Sequence, residues 1–172
     1  HPTLIPDEQL IANVNGVKNA VLVQANAVGP TLYYGAGAGA GPTASAVVAD
    51  VIDIVRDISY TEDCAGTIPQ LAFEALTNVP ILSREEMTTG YYIRLNAEDQ
   101  TGVLADVTTI LSRAGISIDA IMQQSRLKDL IPIVILTDPI VESKMDDALA
   151  QIQALPAIRG EIVRIRLESL DS

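Results

Sequence analysis

The chain has 172 residues and a formal net charge of −11, with 48% apolar but only 3% aromatic side chains. This acidic balance argues against nucleic-acid and anionic-membrane partners, since both need clustered lysine and arginine. One cysteine, Cys64, and one histidine, His1, exclude from this sequence a disulfide framework, a thiolate or histidine metal site and a Ser-His-Asp triad.

Two strands are predicted near the start of the chain. Short apolar runs are separated there by the turn signals Asn15-Gly16 and Gly29-Pro30, which indicates a hairpin of strands at about 19–25 and 31–35. The pair alone cannot bury both of its faces. We therefore expect it to belong to a sheet whose other strands lie upstream.

A glycine-rich stretch follows these strands and leads into a helix. Four glycines within seven residues (35, 37, 39 and 41) permit close approach of a ligand or another backbone. Past Thr43, the candidate N-cap, valine and isoleucine recur at helical spacing as far as Ile58. The start of such a helix offers free amide groups to an anion. The glycine spacing does not fit the dinucleotide fingerprint, so it favours a tight turn packed on other backbone and leaves a nucleotide role open.

The first 58 residues resemble one enzyme family in order, spacing and residue type. The matching motifs are His1-Pro-Thr-Leu-Ile-Pro6, Asn15-Gly-Val-Lys-Asn-Ala-Val-Leu-Val23, Tyr34-Gly-Ala-Gly-Ala-Gly39 and Pro42-Thr-Ala-Ser-Ala-Val-Val-Ala-Asp50. Together they are similar to the C-terminal part of bacterial homoserine dehydrogenase. The resemblance implies that this segment belongs to a nucleotide-binding region and borders the nicotinamide cofactor, NAD(P), at Gly35, Gly37 and Gly39. Ala36 stands where a proline is often found in the family, which loosens φ and keeps the glycines.

Residues 59–89 are predicted to connect two domains. The stretch is irregular, with a short helix expected at about 69–76, and it is long for a loop inside one compact domain. A domain boundary near 85–90 follows.

Residues 90–170 carry a clearer pattern. Alternating and helical apolar spacings predict a strand at 91–96, a helix at 103–114, strands at 116–124 and 130–137, a helix at 141–155 and a strand at 160–169. Gly115 stands where the C′ residue of the first helix is expected. The order βαββαβ predicts a ferredoxin-like layer of two helices on a four-stranded antiparallel sheet, so the whole chain is assigned to the α+β class.

The segment Tyr91-Tyr-Ile-Arg-Leu-Asn-Ala-Glu-Asp-Gln-Thr-Gly102 and its continuation to Ile118 resemble the ACT domain, a small-molecule-sensing module of amino-acid metabolism. In that family effectors lie between the loop before the first helix and the start of the second strand of a partner domain. Helix amides behind Gly102 can hold a carboxylate, and Asp99 can receive an ammonium group. The effector residues implied are Asp99, Thr101, Gly102, Val103, Leu104, Ile116, Ser117 and Ile118. Equally open is a domain in which Asp99 caps the helix, Gly102 relieves the turn and no ligand binds.

The two resemblances favour one functional hypothesis. Residues 1–58 are expected to be a piece of the dehydrogenase region, 59–89 a connector and 90–172 a regulatory ACT domain. The parent family transfers a hydride between homoserine and aspartate 4-semialdehyde with NAD(P), and the ACT domain is expected to report threonine. The family's substrate lysine and carboxylates lie upstream of His1, so we expect no catalytic residue, no metal site and no activity in this chain alone.

Two other hypotheses stay open at this point: a separate ACT subunit that binds an amino acid and regulates another enzyme, and a module that only dimerises. A domain of about 80 residues buries only about 60% of its unfolded surface, so self-association into a homo-oligomer is expected in each case. No apolar run reaches the roughly 18 residues of a membrane span, and no signal peptide is visible. The expected location is the cytoplasm.

Overall fold

The computed structural model describes residues 1–60, 77–123 and 130–170. They belong to two compact units, one of residues 1–6 and 81–172 and the other of residues 7–80. The predicted helix at 69–76 and Cys64 lie outside the described residues. In chain order the elements are β1 (Thr3–Leu4), β2 (Lys18–Ala25), β3 (Gly29–Ala36), α1 (Ala40–Tyr60), β4 (Thr88–Glu98), α2 (Val103–Arg113), β5 (Ile118–Gln123), β6 (Leu130–Val141), α3 (Glu142–Gln153) and β7 (Ile158–Leu167).

The unit of residues 7–80, called the hairpin unit below, contains the predicted strand pair. β2 and β3 are antiparallel from Lys18 opposite Ala36 to Ala25 opposite Gly29, which confirms the hairpin. The prediction of Thr43 as N-cap is wrong, because α1 begins at Ala40 and the Thr43 amide already donates to the Gly39 carbonyl at 3.1 Å. Pro42 suits this earlier start, since a first-turn amide needs no helical partner.

Helix α1 keeps its apolar side chains exposed. Its large apolar residues are between 45% and 69% exposed: Val47, Val48, Val51, Ile52, Ile54, Val55 and Ile58. An amphipathic helix is stabilised mainly by burying such a stripe. Residues 40–58 therefore carry an apolar surface for which the described part of the chain supplies no core.

The other unit, called the sheet unit below, is the predicted ferredoxin-like layer with one addition. Its five strands lie in the order β1-β7-β4-β6-β5, and all described pairs are antiparallel except β1 with β7. Thr3 and Leu4 pair in parallel with Arg166 and Leu167. The four-strand βαββαβ prediction is confirmed, and β1 was not predicted because two residues show no periodicity. The segment predicted as 1–58 is thus divided between the two units.

The core of the sheet unit lies between the sheet and its two helices. Alternate residues of β4 (Tyr91, Ile93, Leu95 and Ala97) pack with Val103, Val107 and Leu111 of α2 and with Met145, Ala148 and Ile152 of α3. Leu149 of α3 and Leu155, just beyond it, are only partly buried against this core. The two helices therefore cover one face of the sheet, as the pattern predicted.

Helix α2 ends as its sequence predicts. Gly115 has φ +72°, its amide donates to Ser112, and the Ile116 amide donates to Leu111, each at 3.0 Å. This is the Schellman arrangement, in which a left-handed glycine satisfies the last carbonyls and the next apolar residue packs back on the helix.

Several strand limits differ from the prediction, including both ends of β4, which runs over Thr88–Glu98 where 91–96 was predicted. β6 runs four residues further, to Val141, because Thr88 and Thr89 of β4 continue to pair with it. Pro132 is its third residue, one position beyond the last described pair with β5, a place where its missing amide interrupts little. β5 starts two residues later than predicted, and β7 starts two residues earlier.

No helix among the described residues is long and apolar enough to cross a membrane.

Candidate functional site

The glycine segment lies at the end of the hairpin. Gly35 is opposite Asn19 in β2, and the Gly37 amide donates to the Val17 carbonyl at 2.9 Å. A Cβ at Gly37 would stand 1.4 Å from Asn19 Nδ2, whereas a Cβ at Gly35 would meet nothing within 4 Å. Gly37 therefore makes room for the Asn19 side chain, and Gly35 leaves its backbone open.

A shallow cavity of about 490 Å³ lies beside these glycines. Its lining includes Asn19, Leu32, Tyr34, Gly35 and Gly37, while Gly39 lies outside that lining. The Lys18 ammonium is 5.6 Å from the centre of the Tyr34 ring. The structure thus brings two of the three predicted cofactor glycines together at one concave surface.

The predicted effector loop leads into helix α2. Gly102 is the N-cap, with φ +99°, and its carbonyl accepts the Asp106 amide at 2.9 Å. The alternative in which Asp99 is the cap is wrong in this respect, because Asp99 lies three residues before the cap position. The loop is closed by Gln100, whose amide donates to the Glu98 carbonyl and whose side chain donates to the Glu98 carboxylate.

The predicted effector residues divide into accessible and buried groups. Asp99, Thr101, Gly102 and Ser117 are exposed, Leu104 and Ile118 are half-buried, and Val103 and Ile116 belong to the core. Ser117 and Ile118 stand at the start of β5, the outermost described strand on that side. A ligand can reach the loop amides and the edge strand, whereas Val103 and Ile116 serve as packing beneath them. Their effector role stays a prediction.

A third cluster, not predicted from the sequence, surrounds a buried carboxylate. Glu142, the first residue of α3, is fully buried. Its Oε1 accepts Arg84 Nε at 3.1 Å and Arg166 Nη2 at 2.6 Å, and Arg164 Nη2 lies 3.2 Å away. Its Oε2 accepts the Tyr91 hydroxyl at 2.7 Å and Arg166 Nε at 2.8 Å. We call these five residues the Glu142 cluster.

Asp146, one turn further along α3, joins the edge of this cluster. It contacts Arg84 at 3.5 Å and forms an ion pair with Arg164. The Arg164 guanidinium also stands 5.6 Å from the centre of the Tyr91 ring. One helix therefore supplies two carboxylates to three arginines that come from β7 and from the turn at 84–86.

The cluster changes the proton affinity of its members. Burial alone raises the pKa of Glu142, but hydrogen bonds from Arg166, Tyr91 and Arg84 outweigh it and lower that pKa to about 2. Burial, with the hydrogen bond to Glu142, raises the pKa of Tyr91 to about 12. The Glu142 carboxylate also raises the pKa of Arg166. At neutral pH Glu142 is therefore ionised, and Tyr91 is a neutral hydrogen-bond donor to it.

Only part of this cluster had a signal in the sequence. Arg164 and Arg166 alternate with apolar residues, a spacing that places both on one face of a strand. A glutamate at the start of a helix ordinarily indicates a favourable interaction with the helix dipole at the surface. Among the described residues, no three His, Cys, Asp or Glu side chains come together to hold a metal ion.

Two family models match the chain. The model described as homoserine dehydrogenase matches residues 1–52, and the model described as ACT domain matches residues 91–156. The first match spans the hairpin and the first half of α1, together with β1. The second covers most of the sheet unit, including the loop at 99–102.

Proteins named homoserine dehydrogenase align with nearly the whole chain. The one from Pseudomonas aeruginosa is 51% identical, and the alignment covers 99% of this chain and 40% of that protein. The one from Neisseria gonorrhoeae is 47% identical and is covered over 39% of its length. The crystal structure of a homoserine dehydrogenase from Thiobacillus denitrificans has a TM-score of 0.86 and 52% identity, over 99% of this chain and 38% of that one. The chain therefore spans about two fifths of these relatives.

We predict that Glu142→Gln destabilises the sheet unit by about 3 kcal/mol at pH 7, the value of a shift from 4.5 to about 2. The lowered pKa means that the carboxylate stabilises the fold above the ordinary pKa of 4.5. This contribution falls as the pH drops from about 4.5 to about 2. Hydrogen exchange of the Ile93 and Ile135 amides measures the stability of this unit directly.

The matched control is Glu161→Gln, at an exposed position of β7. It should leave the stability at pH 7 unchanged, and the wild-type loss of stability in acid should persist. Equal exchange rates in the two variants at pH 7 would show that the cluster does not stabilise the unit.

Proposed function

We propose that the chain is the C-terminal, regulatory part of an enzyme that interconverts homoserine and aspartate 4-semialdehyde, because it matches both the homoserine dehydrogenase model and the ACT-domain model. The observation that carries this proposal is the presence of both family matches in one chain of 172 residues. The activity belongs to the whole enzyme. In its relatives, this stretch is about two fifths of the protein.

The parent's cofactor is NAD(P), whose nicotinamide ring gives or takes the hydride when bound. The glycine segment fits a place beside the cofactor better than a phosphate cradle. The space over Gly37 is filled by Asn19, and the Gly37 amide is bonded to Val17. Gly35 has open space above it and lies on the concave surface with Tyr34. We therefore propose that Gly35, Gly37 and Gly39 shape a surface that borders the cofactor, and we assign no step of the reaction to them.

The exposed stripe of α1 supports the same proposal. Its seven large apolar side chains are about half exposed in this chain. Such a stripe needs an apolar partner, and the remaining three fifths of the enzyme are the natural source of one. We propose that α1 packs against the dehydrogenase region.

For the ACT domain, the proposal is that threonine is sensed at the loop before α2. The exposed residues Asp99 and Thr101 stand beside the amide groups at the start of an 11-residue helix. The helix start favours the ligand's carboxylate, and Asp99 favours its ammonium group. Ser117 and Ile118 of a partner domain would complete the site. The parent is then a homo-oligomer formed through its ACT domains, in the cytoplasm.

The edge of the sheet that is formed by β5 supports self-association. β5 pairs on one side only among the described strands, and Ile121 and Met122 of this strand are 36% and 52% exposed. An edge strand with open backbone groups and apolar side chains pairs readily with a second chain. The opposite edge, β7, is partly taken by β1.

The two alternatives explain less of the chain. A separate ACT subunit and a ligand-free dimerisation module both account for residues 91–156. Neither accounts for residues 1–52, which match the dehydrogenase family. Relatives with that one name also align over 99% of the chain.

The purified chain should show no dehydrogenase activity. With homoserine and NADP, no reduced cofactor is expected, because the family's substrate lysine and carboxylates are expected upstream of His1. The absorbance of NADPH measures this, and the full-length Pseudomonas aeruginosa relative is a positive control. Turnover above a blank, in protein free of host dehydrogenase, would contradict the assignment of the chain as a regulatory part.

A double variant in the full-length enzyme separates the packing role of Gly37 from a cofactor role. Gly37→Ala should clash with Asn19, and Asn19→Ser removes the clashing amide. If the glycine borders the cofactor, Gly37→Ala weakens NADP binding in both backgrounds, because the added methyl group displaces the cofactor. If the double variant binds NADP as tightly as the wild type, Gly37 serves only to leave room for the Asn19 side chain.

Threonine should bind the chain at the loop before α2. Saturating ligand, at a hundredfold excess over Kd, should stabilise the sheet unit by about 2.7 kcal/mol. Gly102→Asp should abolish binding, since it brings a carboxylate against that of the ligand. Gly102→Asn adds a side chain of similar size without charge, so it controls for strain at this positive φ. Calorimetry over a panel of amino acids is the measurement, and no heat at millimolar concentration would leave the domain an assembly module.

A further inference from the structure

We propose that a cavity lined by Arg84, Arg164 and Arg166 binds a small oxyanion, a carboxylate or a phosphate. It lies within the sheet unit and is a different place from the effector loop at 99–102. None of its lining residues belongs to the glycine segment or to that loop. The inference therefore does not depend on threonine sensing.

The cavity has the size of a small-molecule site. Its volume is about 640 Å³, within the range of about 300–1,000 Å³ that is usual for ligand pockets. The three arginines share its lining with Met87 and Ile165, and His1 and Pro2 complete it. Polar groups of one charge thus face a partly apolar wall, which is the ordinary composition of a site for a small organic ion.

Among the described residues, the charges of the Glu142 cluster and of Asp146 beside it do not balance. Three guanidinium groups face two carboxylates, Glu142 and Asp146. A carboxylate has about four acceptor positions, and Glu142 already has five donors around it. The Glu142 carboxylate therefore cannot accept a further N–H group. Each arginine, in contrast, has five N–H donors. One positive charge is left over, in a chain whose formal net charge is −11.

The surplus positive charge lies where the arginine side chains are largely shielded from water. The side chains of Arg164 and Arg166 are 20% and 14% exposed, so water screens them poorly. An anion in the cavity gains more from such groups than from arginines at the open surface. The planar fork of a guanidinium binds carboxylate and phosphate with two parallel hydrogen bonds. This is the reason for assigning the ligand to those two classes.

Arg84 is the accessible member of the three. Its side chain is 59% exposed, and it stands on the turn Arg84–Glu86. That turn is fixed by Ser83, whose amide and hydroxyl both donate to the Glu86 carboxylate. The Met87 carbonyl, just beyond the turn, accepts the Glu142 amide at 2.8 Å. The backbone that carries Arg84 is therefore fixed beside the cavity. The Arg84 side chain can leave Asp146 and bind a ligand instead.

The cavity also brings together parts of the sheet unit that are far apart in the sequence. The chain leaves this unit after Pro6 and returns at Ile81. His1 and Pro2 stand before β1, and Arg84 and Met87 stand just after the return. A bound anion would contact residues 1–2, residues 84–87 and β7 together, so its expected effect is to stabilise these three parts relative to one another.

The test is an NMR titration of the arginine Nε–H signals in this chain. Inorganic phosphate and succinate are added separately at constant ionic strength, with chloride as the control anion. We expect saturable shifts of the Arg84, Arg164 and Arg166 signals. The Arg159 signal should not shift, because Arg159 lies at the start of β7, away from the cavity lining, and is paired with Glu98. The two titrants distinguish a phosphate from a carboxylate ligand.

Two variants complete the experiment. Arg84→Gln should weaken binding about tenfold, since it removes a charged hydrogen-bond donor, and Arg159→Gln should leave the affinity unchanged. Arg84→Lys, which keeps the charge without the fork, should give an intermediate affinity. Shifts that grow linearly with anion concentration, or that are equal at all four arginines, would overturn the proposal. The same holds for an Arg84→Gln variant that is folded and binds as well as the wild type.

Discussion

The buried carboxylate of Glu142 is the constraint that the rest of the sheet unit has to satisfy. It ties the start of α3 to Tyr91 on β4, to Arg164 and Arg166 on β7, and to Arg84 on the turn before β4. An isolated buried charge costs several kcal/mol, so all of its partners must be in place together. The sheet, the helix and the incoming chain are thereby fixed by one acidic group. Such a cluster specifies an arrangement more than it adds net stability.

The two units differ in whether the apolar stripes of their helices are buried. In the sheet unit, alternate residues of β4 and one face of each helix are buried in a common core. In the hairpin unit, α1 has the same kind of apolar stripe but keeps it exposed. The first pattern is that of a domain complete enough to fold around its own core. The second leaves an apolar stripe without a core among the described residues, and the Pseudomonas aeruginosa relative is about two and a half times as long as this chain.

What the sequence predicts well is local. The hairpin, the order βαββαβ and the C′ glycine at 115 depend on spacing within about ten residues, and the structure confirms them. What it misses depends on distant residues that meet only after folding. Glu142 looks like a surface residue until Arg84, Arg164 and Arg166 converge on it, and β1 is too short to show a period. The sequence predicts too late a start for α1, because glycine and proline fill the first turn of this helix. The cofactor and effector residues stay predictions, since both depend on groups outside this chain.

The pairing of β1 with β7 has a consequence for the order of folding. Thr3 and Leu4 precede their partners Arg166 and Leu167 by 163 residues along the chain. Closing so long a loop is entropically costly, and a two-residue parallel strand offers few hydrogen bonds in return. During synthesis, β1 must therefore wait while the rest of the sheet forms and joins it only when β7 is complete. In the finished protein the same strand is the first to detach when the unit opens locally. The small strand is thus the last piece to dock and the most readily released.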